Sequence, residues 1–226
     1  MVQVNMDTKE VMLKLVYYGP ALSGKTTNLQ QLHKLLNPQA RGKMVSLDTL
    51  DDRTLYFDCL PVQFGTEAGF SIKIKLFTVP GQVMHKSTRK AVLVGADGVV
   101  FVADSQRCNA SANAYAWRDM EANLQSNGID FASTPKVIQF NKRDLPDVKT
   151  LEEINEQWGD IPAVPAVAMK GEGVLETFCE LLKVLHRNLD AKHDFSRKFG
   201  VTEEAFLSNL IDRFEETGPG KQMASV

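Results

Sequence analysis

The run Gly19-Pro-Ala-Leu-Ser-Gly-Lys-Thr-Thr27 sets two glycines, a lysine and a hydroxyl at the spacing G-x-x-x-x-G-K-[ST], and that spacing suits the holding of phosphate. Gly19 and Gly24 let the backbone curl so that successive N–H groups, those of Leu22, Ser23 and Thr27 among them, turn inward toward phosphate oxygens. Lys25 supplies a compact positive charge for β- and γ-phosphate oxygens, and the Thr26 hydroxyl can ligate the Mg²⁺ between them. A β-rich apolar stretch, Val11–Tyr18, precedes the run. Leu29, Leu32, Leu35 and Leu36 follow it at helical spacing, so the motif has the strand, loop and helix that it requires. The chain is therefore expected to bind a nucleotide.

A second group bears on which nucleotide. Asn141-Lys-Arg-Asp144 follows the apolar run ending at Phe140, at the carboxyl end of a predicted strand, the edge where open α/β sheets bind ligands. Asp144 there can accept two hydrogen bonds from guanine, one from N1–H and one from the N2 amino group. Adenine offers neither donor and would leave the carboxylate unpaired. The alkyl stem of Lys142 can lie over the base. In isolation the four residues would read as a solvated turn; their place between a strand and a helix, downstream of the phosphate loop, favours the base.

The elements that must position these groups alternate along the chain. Predicted strands cover 11–18, 54–64, 69–79, 99–103, 136–140 and 163–168, and helices follow the phosphate loop and cover 110–126, 151–158 and 174–189. Gly65–Ala68 is short enough to join a hairpin. The pattern implies an α/β fold, with a mainly parallel central sheet, one antiparallel strand and helices on both faces. Residues 1–189 form the expected domain and 190–226 an extension. In the extension, Lys192–Lys198 reads as a polar, basic linker and Thr202 caps an amphipathic helix bearing Phe206, Leu207, Leu210, Ile211 and Phe214, before a loose tail.

Composition narrows the setting. The 226 residues are 43% hydrophobic and 24% charged with net charge −2, values of a soluble globular chain with no electrostatic call for nucleic acid or an anionic membrane. No apolar run approaches the ~20 residues of an integral membrane segment, and the terminal residues lead us to expect neither a signal peptide nor prenyl anchoring. Cys59, Cys108 and Cys179 read as buried free thiols of a reducing cytoplasm. The four histidines show no metal-ligand spacing.

Taken together, Gly19–Thr26, Asn141–Asp144 and Gly81-Gln82 resemble the Ras-like small GTPases over residues 10–189. Within that superfamily Val16–Pro20, Asp51–Asp58 and Thr78-Val-Pro-Gly-Gln82 are similar to the MglA family, bacterial GTPases of gliding motility and cell polarity. The resemblance implies a GTP/GDP switch that uses Mg²⁺ and hydrolyses GTP slowly. Its implied site residues are Gly81, whose N–H meets the γ-phosphate, and Gln82, which orients the attacking water. Thr49 and Thr54 are both candidates for the second Mg²⁺ ligand, and the family pattern favours Thr54. Arg53 resembles the family's own-chain arginine that stabilises the transferring phosphate. Val167, Ala168 and Met169 stand at the loop that closes over the base, where the Ala168 N–H can meet guanine O6 and the usual lysine is replaced by Met169. Thr78 stands where the wider superfamily has a Mg²⁺-associated aspartate, as in MglA-type proteins. The implied partners are a roadblock-type GTPase-activating protein, MglB-like, and downstream polarity or motility proteins, with a cytoplasmic location and recruitment to a cell pole. Two other readings stand beside this one: a P-loop ATPase, against which Asp144 speaks, and a nucleotide-holding scaffold without turnover, which Thr78 keeps open.

Overall fold

Alternation along the first long strand sets the two faces of the molecule. The computed structural model describes residues 2–37, 42–47, 57–66, 69–81 and 86–212. Within it Val11, Leu13, Leu15 and Tyr17 of β2 (Glu10–Tyr18) enter one core, and Val16 and Tyr18 enter another on the opposite face. The first core is closed by α1 (Lys25–Leu35) and α5 (Val174–His193), through residues such as Leu29, Leu32, Phe178 and Leu181. The second is closed by α2 (Lys86–Leu93), α3 (Ala110–Ser126) and α4 (Leu151–Trp158), through Leu93, Met120 and Ile154.

The remaining strands are β1 (Gln3–Asn5), β3 (Val45–Leu47), β4 (Phe57–Gly65), β5 (Ser71–Thr78), β6 (Gly98–Asp104), β7 (Lys136–Asn141) and β8 (Ala163–Pro165). They pair in the order β3-β4-β5-β2-β6-β7-β8. β5, β2, β6, β7 and β8 are mutually parallel, and β4 is antiparallel to both of its neighbours. Along this row β4 alone runs against the others, as the hairpin pattern requires. β1 folds back antiparallel on the start of β2. Every residue of β6 is buried, because helices cover it on both sides. Among the described residues no helix is long and apolar enough to cross a membrane.

Several local expectations are corrected. The segment 192–198 is not a linker: α5 runs to His193, and α6 (Phe195–Phe199) follows at once. Phe195 and Phe199, four residues apart, face inward at 1% and 7% exposure, while Arg197 and Lys198 point to solvent. The strand expected over 163–168 stops at Pro165, and a tight 3-10 turn occupies Ala168–Lys170. Cys108 is exposed in the turn that leads into α3, and Cys59 and Cys179 are half-buried, so only the thiols' freedom from disulfides matches the reading. Phe206 of α7 (Glu203–Ile211) is wholly buried; Phe214 and the tail lie outside the described residues.

Candidate functional site

The phosphate loop leaves β2 at Gly19 and enters α1 after Gly24, beside the carboxyl ends of β2 and β6. Gly24 sits at φ 103, and a side-chain carbon there would lie 2.2 Å from Asn141 Nδ2, so no other residue fits. As N-cap of α1 it offers no side-chain bond, which leaves the helix's first N–H groups to face an anion. Lys25 is buried and donates from Nζ to the carbonyls of Gly19 (3.0 Å) and Pro20 (2.6 Å). Burial, with Arg89 nearby and against the pull of Asp58, lowers its pKa to about 7. An adjacent phosphate would favour the charged form again. Ser23 is wholly buried and its hydroxyl has no partner among the described residues. Leu22 is 88% exposed and holds φ 61, a conformation that branched or bulky residues rarely adopt. Thr26 is exposed and Thr27 half-buried.

The Asn141–Asp144 loop is tied directly to the phosphate loop. Asn141 Nδ2 donates to Ser23 O at 2.8 Å, and Asn141 Oδ1 accepts from Ala168 N–H at 2.8 Å. One buried amide thus joins the phosphate loop, the end of β7 and the turn at 167–169. The Ala168 N–H, expected to face a base oxygen, is committed to Asn141. Lys142 holds φ 66 and its Nζ contacts Asp104 Oδ2 at 2.7 Å, which fixes its stem along the loop. Asp144 is exposed; Val167 is buried and Met169 is 78% exposed.

On the other side of Lys25, Gly81 approaches the phosphate loop so closely that a side-chain carbon would stand 2.4 Å from Ala21 Cα. Thr78, at the end of β5, is buried and meets Asp58 of β4. Its Oγ1 accepts from the Asp58 N–H at 2.9 Å and donates to Asp58 Oδ2 at 3.1 Å. Thr26 Oγ1 donates to the same Oδ2 at 2.6 Å. A carboxylate thus stands beside Thr78 on the neighbouring strand, and the oxygens of Thr26 and Asp58 are of the hard type that suits Mg²⁺. Among the described residues no three His, Cys, Asp or Glu side chains gather as a self-contained metal cage. Such a cage is not needed for an ion that keeps waters and phosphate oxygens as ligands. Arg53, Thr54 and Gln82 lie outside the described residues.

Two residues of the site were not singled out from the sequence. Asp104 closes the apolar run of β6, and a carboxylate ending a doubly covered strand is a signal in itself. Asp58 interrupts the apolar start of β4, and the neutral Thr78 on the paired strand is the signal that points to it.

A doubly covered, mainly parallel sheet, with a phosphate loop after β2 and an Asn-Lys-x-Asp loop after β7, defines the class of Ras-like small GTPases. No protein-family model matches the chain. It is 45% identical over 184 residues to the mutual gliding-motility protein MglA of Myxococcus xanthus (strain DK1622), a match covering 80% of this chain and 94% of that relative. The chain belongs to the MglA family of small GTPases.

Proposed function

We propose that the chain is a GTP-dependent switch that hydrolyses GTP slowly and controls gliding motility or cell polarity through nucleotide-dependent partner binding. The observation that supports this most strongly is the pair of hydrogen bonds that Asn141 makes, donating to Ser23 O and accepting from Ala168 N–H, which joins the phosphate and base loops in one assembly. In this reading the backbone of Gly19, Leu22, Ser23, Gly24 and Thr27, with the Lys25 ammonium, holds the phosphates. Asp144 selects guanine, the Lys142 stem covers the base, and Val167–Met169 frame it through Asn141. Gly81 gives its N–H to the γ-phosphate; Gln82 orients water, and Arg53 meets the charge that grows as the phosphoryl group departs. Mg²⁺, when bound, neutralises charge on the β- and γ-phosphate oxygens, and Thr26, Thr54 and Asp58 are the residues that would hold it. The γ-phosphate orders the segments around 41–58 and 78–90, and its loss releases them. A roadblock-type, MglB-like activator and downstream polarity or motility proteins would read that difference, in the cytoplasm and at a cell pole.

Single-turnover GTP hydrolysis, with and without a roadblock-type partner, tests the enzyme. Turnover should rise with the partner, and Arg53→Ala should lose roughly 10³-fold of the stimulated rate. No turnover in either condition would leave a nucleotide-holding scaffold. Nucleotide competition tests the base: Asp144→Asn should move preference from guanine toward xanthine nucleotides, since an amide donor then faces guanine's donors. Equal binding of ATP and GTP by the unmodified chain would reject the assignment.

A further inference from the structure

Beneath the phosphate loop lies a set of polar side chains at positions that packing alone would fill with apolar ones. Gln139 stands between Ile138 and Phe140 in β7, and Asn28 precedes Leu29 on the core side of α1; both are wholly buried. Their amides bond reciprocally. Asn28 Nδ2 donates to Gln139 Oε1 at 2.7 Å, and Gln139 Nε2 donates to Asn28 Oδ1 at 2.8 Å. The second proton of each amide is used as well, by Gly24 O (3.0 Å) for Asn28 and by Thr177 Oγ1 (2.8 Å) for Gln139. Gln139 Nε2 also lies 3.4 Å from Gly173 O. Thr177, wholly buried on α5, passes its own proton to Gly173 O at 2.5 Å.

The ends of this chain of bonds give it meaning. Gly24 is the N-cap of α1 and closes the phosphate loop; Gly173 is the N-cap of α5 and closes the segment after Val167–Met169. Gln139 and Asn141, two residues apart, share a face of β7. Asn141 ties Ser23 to Ala168, and Gln139, through Asn28 and Thr177, ties Gly24 to Gly173. Two parallel rungs thus span the same gap. Burying an amide pair gains little over well-packed apolar residues of like volume, whereas its bonds fix a separation that apolar contact leaves adjustable. We propose that Asn28, Gln139 and Thr177 are positioning residues that set the spacing between the phosphate loop and the base-closing loop and so prolong the residence of bound nucleotide. The inference rests on the nucleotide reading above.

The test replaces the amide pair with apolar residues of similar size, Asn28→Leu with Gln139→Val, so that neither partner is left unpaired. Release of a fluorescent GDP analogue is then followed together with thermal unfolding. Release should accelerate about tenfold while the melting temperature stays within about 5 °C of the unmodified chain. Unchanged release in the folded variant would overturn the inference, and so would acceleration seen only alongside a large fall in melting temperature, which would mean general loosening. If the double variant does not fold, Thr177→Val removes the hydroxyl link alone and should speed release about threefold; unchanged release there is equally decisive against it. Failure of the unmodified chain to retain GDP would overturn the nucleotide reading and this inference with it, whereas retention by both chain and variants would overturn only the latter.

Discussion

At the carboxyl ends of β2, β6 and β7 the loops are joined by hydrogen bonds between buried polar groups, whereas at the opposite end of the sheet α6 and α7 meet β4 and the residue before β5 through aromatic rings. Phe206 packs edge-on against Phe64 with centroids 5.5 Å apart, and Phe199 packs against Phe70 at 5.0 Å. His186 lies between Phe195 and Phe206 and donates from Nε2 to Val201 O at 2.8 Å. The contrast is one of what each kind of contact specifies. Hydrogen bonds are directional and fix loop spacing, which phosphate and base recognition demand. Burial of the rings contributes chiefly through area, and their edge-to-face preference tolerates a broad range of centroid distances, so it secures an element without dictating fine geometry. One end of the sheet is built for position and the other for cohesion.

Changes at each end should therefore separate stability from nucleotide affinity. The largest expected effect is Phe206→Ala, which empties a wholly buried site against Phe64 and should cost about 3–5 kcal/mol in denaturant unfolding. GDP affinity of the remaining folded molecules should not change; a parallel loss of affinity would break the division between the two ends. Lys25→Ala should do the reverse, lowering nucleotide affinity by ~2–5 kcal/mol in equilibrium titration through loss of a charge-assisted phosphate contact. Its unfolding midpoint should move little, because the native lysine is itself penalised by burial. The smallest effect is expected at Arg187, which pairs with Glu203 across α5 and α7 but is 67% exposed. Arg187→Ala should change stability by less than about 1 kcal/mol, and raising salt should abolish even that difference. A larger value would show that the C-terminal helix depends on charge as well as on its rings.

The phosphate and base motifs were legible because each is nearly contiguous: a loop that wraps a small anion draws its groups from successive residues. The strands were legible where alternation ran long enough, as in β2 and β5, and the three-residue β1 and β3 carry no usable period. Asp58 escaped notice because it reaches Thr26 across two strands, through pairing that no local pattern encodes. Gln139 escaped for the same reason; its partners come from α1 and α5. The segment 192–198 was misread because its basic residues dominate the composition, although Phe195 and Phe199 at helical spacing carried the correct signal. Arg53, Thr54 and Gln82 are expected from resemblance alone, and they lie outside the described residues.

The distance along the chain between Ser23 and its tie at Asn141 also has a consequence for biosynthesis. The separation is 118 residues, so a ribosome adding about 5–20 residues per second emits Asn141 roughly 6–24 s after Ser23. Within that interval β5 is emitted first and β6 after it, so β2, destined for the middle of the sheet, gains one neighbour before the other. The nascent chain thus carries the phosphate-loop motif well before the Asn141–Asp144 loop, and the tie from Asn141 to Ser23 and Ala168 can close only after Ala168 has left the exit tunnel.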